Sequence, residues 1–156
     1  MAARDSLALF LRCNDLLLAV PITDMDRILA VDDVHTERAG DLTLVKLPGD
    51  QVCPGWDLGA LLGRPVVTRT TWVVVYPEIG SRRRRFALAC DRSVAVRATT
   101  ALTRLPQTMF TSRAGVIAGV FRSPFTDGAP VGFRIDLQRL LGHAELAAID
   151  GTGVVW

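Results

Sequence analysis

Asp57-Leu58-Gly59-Ala60-Leu61-Leu62-Gly63 returns near the end of the chain as Asp136-Leu137-Gln138-Arg139-Leu140-Leu141-Gly142, a shared D-L-x-x-L-L-G. The leucines of each copy fall at i, i+3 and i+4, one face of a helical turn or two. Asp offers an N-cap oxygen to amides that have no partner inside the helix. Gly accepts the left-handed conformation that ends it. Cap, stripe and stop coincide twice, which marks a chain built of two half-units of similar construction.

The chain of 156 residues is long enough for a sizeable core, either as one domain or as two tightly packed subdomains. Apolar residues at 49% and charged residues at 22% are an ordinary globular balance. A net charge of +2 gives no support to general nucleic-acid binding. Lys46 is the sole lysine, so the basic character comes from arginine. Cys13, Cys53 and Cys90 form no C-x-x-C pair, and their odd number suits free thiols in a reduced, cytoplasmic setting. The apolar start, Met1 to Val20, is broken by Arg4, Asp5, Arg12, Asn14 and Asp15, so neither a signal peptide nor a membrane span is expected there.

Strands dominate the rest. Leu7–Arg12 and Leu16–Val20 flank Asn14-Asp15 as a hairpin. Met25, Ile28 and Leu29 are spaced for a helical turn or for an irregular strand. Asp32 to Gly40 reads as a surface loop. Leu42–Leu47 and the stretch from Val52 flank the Pro48-Gly49-Asp50 turn, and Arg64-Pro65 breaks the chain between halves. Thr70–Tyr76 is β-branched and aromatic throughout, a strand expected to be buried on both faces. Phe86–Cys90, the stretch through Val94, Val96 and Ala98, Val116–Phe121 and Val131–Ile135 complete the strands. Thr99–Ser112 is a looser connection, and the second D-L-x-x-L-L-G helix can continue through Ile149. Gly151–Trp156 is either a loose tail or an apolar surface strip. Short strands at such spacing predict two small β-barrels that pack on each other. The approximate subdomains are 15–70 and 71–136 within a single domain 1–156, with the first strand and the last helix crossing between them.

Catalytic and metal chemistry find little footing. His35 and His143, the only histidines, are expected to be exposed. No hydrolase elbow, zincin or phosphate-loop motif occurs. Asp57 and Asp136 are expected to be occupied as caps rather than as an acid–base pair. No catalytic residue, metal site or cofactor is expected. Arg82-Arg83-Arg84-Arg85 leaves two readings: a solvated turn, or a patch for an acidic protein partner. The absence of interleaved aromatics counts against single-stranded nucleic acid.

The order of motifs resembles the CheW-like domain family, whose members couple chemoreceptors to the histidine kinase CheA. Ala19-Val20-Pro21-Ile22-Thr23-Asp24-Met25-Asp26-Arg27-Ile28 is similar to the family's apolar-x-P-x-x-x-V-x-x-V segment. Val45–Gly49 and Pro54–Leu58 stand where the family has I-N-L-R-G and P-V-x-D-L. Phe86–Asp91, Ala118-Gly119-Val120 and Asp136–Leu141 match later motifs, so the resemblance runs from Leu7 to Gly142.

The resemblance implies a mainly β fold of two intertwined SH3-like five-stranded β-barrel subdomains with short helices, and no enzyme activity. It implies two partners, a CheA-type kinase regulatory domain and a chemoreceptor cytoplasmic tip held in a groove between the barrels. It also implies a cytoplasmic location at receptor arrays, without membrane insertion. By position, Met25, Arg27, Pro48, Trp72, Ala87 and Val96 fall on that groove, with Ala87 and Val96 on the second barrel's side. Three departures bear on the groove. The family's N-L-R-G arginine is Pro48, its acidic partner position is Arg27, and the stretch between Ile28 and Lys46 is short and lacks the usual P-x-x-x-x-G. Polar pairs at an interface set partner choice, so an adaptor with an altered or lost receptor contact is expected. The alternative keeps the fold as a binding module for a different, acidic partner.

Overall fold

The computed structural model describes residues 7–39, 42–63, 69–98 and 116–152. The first hairpin joins β1 (Leu7–Cys13) to β2 (Leu16–Pro21). Its turn needs a left-handed residue, and Asn14 supplies one at φ +56°. A 3₁₀ turn over Ile22–Asp24 leads into β3 (Met25–Ala30). A second, Val31–Asp33, leads into β4 (His35–Ala39). β5 (Leu42–Leu47) and β6 (Gln51–Asp57) follow, joined through Gly49 at φ +86° and Asp50 at φ +63°. The short helix α1 (Leu58–Leu61) closes this run.

β7 (Thr71–Val75), the two-residue strands β8 (Glu78–Ile79) and β9 (Arg82–Arg83), and β10 (Phe86–Cys90) come next. After them stand β11 (Arg92–Ala98), β12 (Ile117–Arg122), β13 (Val131–Ile135) and the helix α2 (Leu137–Thr152).

The fold is mainly β, and its two large sheets exchange strands between the halves of the sequence. One sheet has the order β11-β1-β2-β13-β12, the other β3-β7-β10-β6-β5-β4, and β8-β9 stand apart as a small hairpin. The first hairpin is thus completed by strands from the C-terminal half. β7 and β10 instead join the strands of residues 25–57, so the sheets cut across the boundary expected between 70 and 71. Two parallel pairings, β10 with β6 and β13 with β2, seal the exchange.

Strands in the middle of this arrangement bury both faces. Val73, Val75, Phe86, Leu88 and Cys90 point into a central core with Leu9, Leu11, Leu18, Val20, Trp56 and the leucines of both helices. Trp72, Val74, Ala87 and Ala89 point the other way, into a second core with Val45, Leu47 and Cys53. A third cluster, Phe10, Phe121, Leu17, Ala8 and Ala19, covers the outer face of the five-stranded sheet. The Phe125 ring lies edge-on to Phe10, 5.4 Å between centroids.

Several local expectations are corrected. Of the two readings of Met25–Ala30, the irregular strand holds and the helical turn does not; a bulge between Met25 and Arg27 disturbs the alternation and mimics helical spacing. His35–Ala39, expected as a loop, pairs with β5, and its polar side chains suit a strand on the sheet's edge. Gly142 does not stop the second helix, which runs on as a sixteen-residue element and carries His143 to a half-buried position. The Arg64-Pro65 break, the Thr99–Ser112 connection and residues 153–156 of the tail lie outside the described residues.

Candidate functional site

Both repeat aspartates cap helices, as their spacing predicts. Asp57 Oδ1 accepts the Ala60 N–H at 2.8 Å, and Asp136 Oδ1 accepts the Arg139 N–H at 3.1 Å. Asp57 does more. Arg69, with a side chain only 8% exposed, donates from Nε to Asp57 Oδ2 at 2.7 Å and from Nη2 to Oδ1 at 3.2 Å. Its Nη1 reaches Asp91 and, at 3.2 Å, Asn14 Oδ1. One guanidinium therefore ties the α1 cap, the first hairpin turn and the end of β10 together. Those hydrogen bonds to Asp57 are the main cause that raises its pKa above the ordinary arginine value. Residue spacing gave no hint of Arg69; its partners are 12, 22 and 55 residues away.

The groove residues are only partly brought together. Met25 and Arg27 lie half-buried on β3, an edge strand of the six-stranded sheet. Arg27 is in register with Val74, which is in register with Ala87 on β10. Ala87 is therefore on the same sheet as Met25, and it is fully buried rather than on an opposing wall. Trp72 is 6% exposed and packs in the same second core. Gly55 makes room for it: a Cβ there would come within 3.0 Å of the indole ring and 2.6 Å of Val45 Cγ2. The Trp72 Nε1–H is buried with no acceptor among the described residues. Pro48 is exposed in the β5–β6 turn, and Val96, 43% exposed, belongs to β11 in the other sheet. The apolar exposure on β3 is at Ile28, 44%, which closes the family-like segment but does not stand among the expected groove residues. A bulged edge strand turns it outward.

The four arginines are not a free turn. Arg85 Nε donates to Asp26 Oδ2 at 3.0 Å, and Arg27 Nε reaches the same oxygen at 3.2 Å. Arg84 pairs with Glu145 of α2. Arg83 donates to the Thr23 carbonyl at 3.2 Å. The Tyr76 ring meets the guanidinium of Arg85 at 4.2 Å and that of Arg83 at 5.2 Å, cation–π geometry in both cases. Arg82 is exposed. Arg84 and Arg85 thus staple the hairpin onto α2 and β3, while Arg82 and Arg83 stay exposed. Beneath it, burial raises the Asp24 carboxyl above its ordinary range, with Arg83 and Arg134 pulling the other way.

The thiols are quiet. Burial pushes Cys53 up to about 11 and Cys90 up to about 12, so both stay protonated and poorly nucleophilic near neutral pH. Among the described residues no group of three or more His, Cys, Asp or Glu side chains is arranged to hold a metal ion. Among them, too, no helix is long and apolar enough to cross a membrane.

No family model matches the chain, and no curated protein matches it in sequence. Among solved structures it is similar to the scaffolding protein TtCheW from Thermoanaerobacter tengcongensis. The TM-score is 0.67 at 16% sequence identity, over 87% of this chain and 92% of that one. At that identity the likeness is one of fold: this chain has a CheW-like fold.

Proposed function

We propose that the chain is a non-catalytic adaptor that couples a chemoreceptor-type sensor to a CheA-type histidine kinase, with an altered receptor contact. The observation that carries this reading is the likeness in fold, along nearly the whole chain, to a protein described as a scaffold. The ordered motifs from Ala19 to Leu141 support it from the sequence side. In this reading Met25, Arg27 and Ile28 on the β3 edge meet the receptor, Trp72 and Ala87 shape that strand from beneath, and Pro48 and Val96 flank it. Arg27 is already paired with Asp26, so the contact is expected to rest on apolar and backbone groups more than on a charge pair. The protein acts in the cytoplasm, at receptor arrays, without membrane insertion or nucleic acid.

The acidic-partner alternative is weakened because Arg84 and Arg85 are engaged by Glu145 and Asp26. Titration of the purified chain against a CheA-type regulatory domain tests the proposal. Saturable binding is expected, and no heat or co-elution at about 100 μM overturns it.

A further inference from the structure

A second arginine is as empty-handed as Arg69 is full. Arg12 on β1 stands directly opposite Arg92 on β11. Like charges facing each other on neighbouring strands destabilise a sheet. The Arg12 Nε–H is buried with no acceptor among the described residues, a position that ordinarily has one. Asp91, next to Arg92, is committed elsewhere: one oxygen takes Arg69 and the other accepts the Asn14 N–H at 2.8 Å. Asp127 is exposed beside this place, and among the described residues no ion pair joins it to Arg12.

The loop after β12 is shaped round the cation. Gly128, at φ +81°, lies flat against the guanidinium: a Cβ there would fall 2.6 Å from Nη2 and 3.1 Å from Cζ. The same loop carries Phe125, whose ring is met by Arg97 at 6.0 Å. Two cations without an ion pair among the described residues thus face each other across the β1–β11 pairing, and one of them keeps a buried unpaired donor while the Gly128 backbone packs on its guanidinium. A doubly charged oxyanion answers all three, since it balances both charges and offers several acceptor oxygens to a guanidinium fork.

We propose that Arg12, Arg92 and the Gly128 turn form a binding site for a phosphate-class oxyanion, free or as a monoester. The site does not depend on the adaptor reading. Thermal unfolding of the full chain at pH 7.5 and matched ionic strength tests it, in chloride, acetate, inorganic phosphate or glycerol 3-phosphate. At 10 mM phosphate the unmodified protein is expected to gain about 2 °C or more over chloride, by preferential binding to the folded state. Arg12→Gln and Arg92→Gln are each expected to lose most of that gain.

In chloride Arg92→Gln, at an exposed position, is expected to melt no lower than the parent, because the facing charges are relieved; phosphate reverses that ranking. A monoester response equal to that of phosphate assigns the site to a phosphate carried on a larger molecule. A response to phosphate alone assigns it to the free ion. Either supports the site. No phosphate-specific gain, an equal gain with acetate, or a gain kept in Arg92→Gln, the mark of general salting effects, overturns it.

Discussion

The two D-L-x-x-L-L-G segments begin alike and end differently. Each opens on an aspartate whose carboxylate caps the third amide beyond it. The first stops after a single turn, where Gly63 takes φ +76° and its N–H returns to the Ala60 carbonyl at 3.0 Å. The second passes through Gly142 and continues to Thr152. The sequences just beyond each glycine differ. The first is followed in sequence by Arg64-Pro65, a pair that disfavours a longer helix. His143-Ala144-Glu145 comes after the second, where Ala144 extends the buried stripe of Leu140 and Leu141 and Glu145 meets Arg84. The third position differs as well. Gly59 leaves the space that the Arg69 guanidinium fills, whereas Gln138 points to solvent. A local code starts a helix; long-range burial and the next residues decide its length.

The largest expected contrast is between the two arginines attached to these caps. Arg69→Met leaves the Asp57 and Asp91 carboxylates half-buried without their cation, and is expected to cost about 3 kcal/mol or more in urea unfolding. Arg139→Met breaks an exposed i,i+3 pair with Asp136, 3.6 Å apart, and is expected to cost less than about 1 kcal/mol. Equal losses would erase the distinction between a node and an ordinary capped helix.

The glycines give a contrast of opposite signs. Gly59→Ala drives a methyl into the Arg69 guanidinium and to 3.2 Å from Cys13 Sγ, an overpacking expected to cost about 1–3 kcal/mol. Gly142→Ala meets nothing within 4 Å inside a helix, and is expected to gain about 0.5–1 kcal/mol. A gain at both positions would mean that Arg69 moves aside freely.

The alkaline limb of stability sharpens the comparison from the first copy's side, since Cys90 lies near its node, and Cys53 behaves likewise in the second core. Their folded pKa values, about 12 and about 11, exceed the ordinary thiol value of 9.0. Above pH 9 the unfolded chain releases these protons while the folded chain keeps them. Stability is therefore expected to be fully present below pH 9 and to decline toward pH 11, by at most about 1.4 kcal/mol per pH unit for each thiol. With a single lysine and a single tyrosine in the chain, few other groups compete in that range. A Cys53→Ala, Cys90→Ala double variant is expected to flatten the decline; an unchanged slope would assign it to other groups.

Much of this architecture was legible in the residues. The Asn14 turn, the strand through Thr71–Val75 buried on both faces and both aspartate caps each carry their signal within a few positions of sequence. The exchange of β7 and β10 into the sheet of residues 25–57 carries none, because strand pairing is settled by partners far away in the chain. The Arg82–Arg85 run was ambiguous for the same reason. Asp26 and Glu145, which engage it, are 59 and 61 residues distant. Ile28 stands in the family-like segment but not among the expected groove residues, because a bulged edge strand follows neither a clean period of two nor a true helical one and hides which side chains turn outward. Which side chains of Met25–Ala30 reach the surface was not legible in the residues.

The strand exchange has a consequence for biosynthesis. Leu7–Cys13 and Leu16–Pro21 leave the ribosome well before Arg92–Ala98 and Val131–Ile135, between which they sit. The opening hairpin must wait, with leucine-rich edges uncovered, until Val131–Ile135 has been translated. Such delayed closure slows folding and lengthens exposure to aggregation, so a nascent chain stalled before Val131 would be a natural client for chaperones.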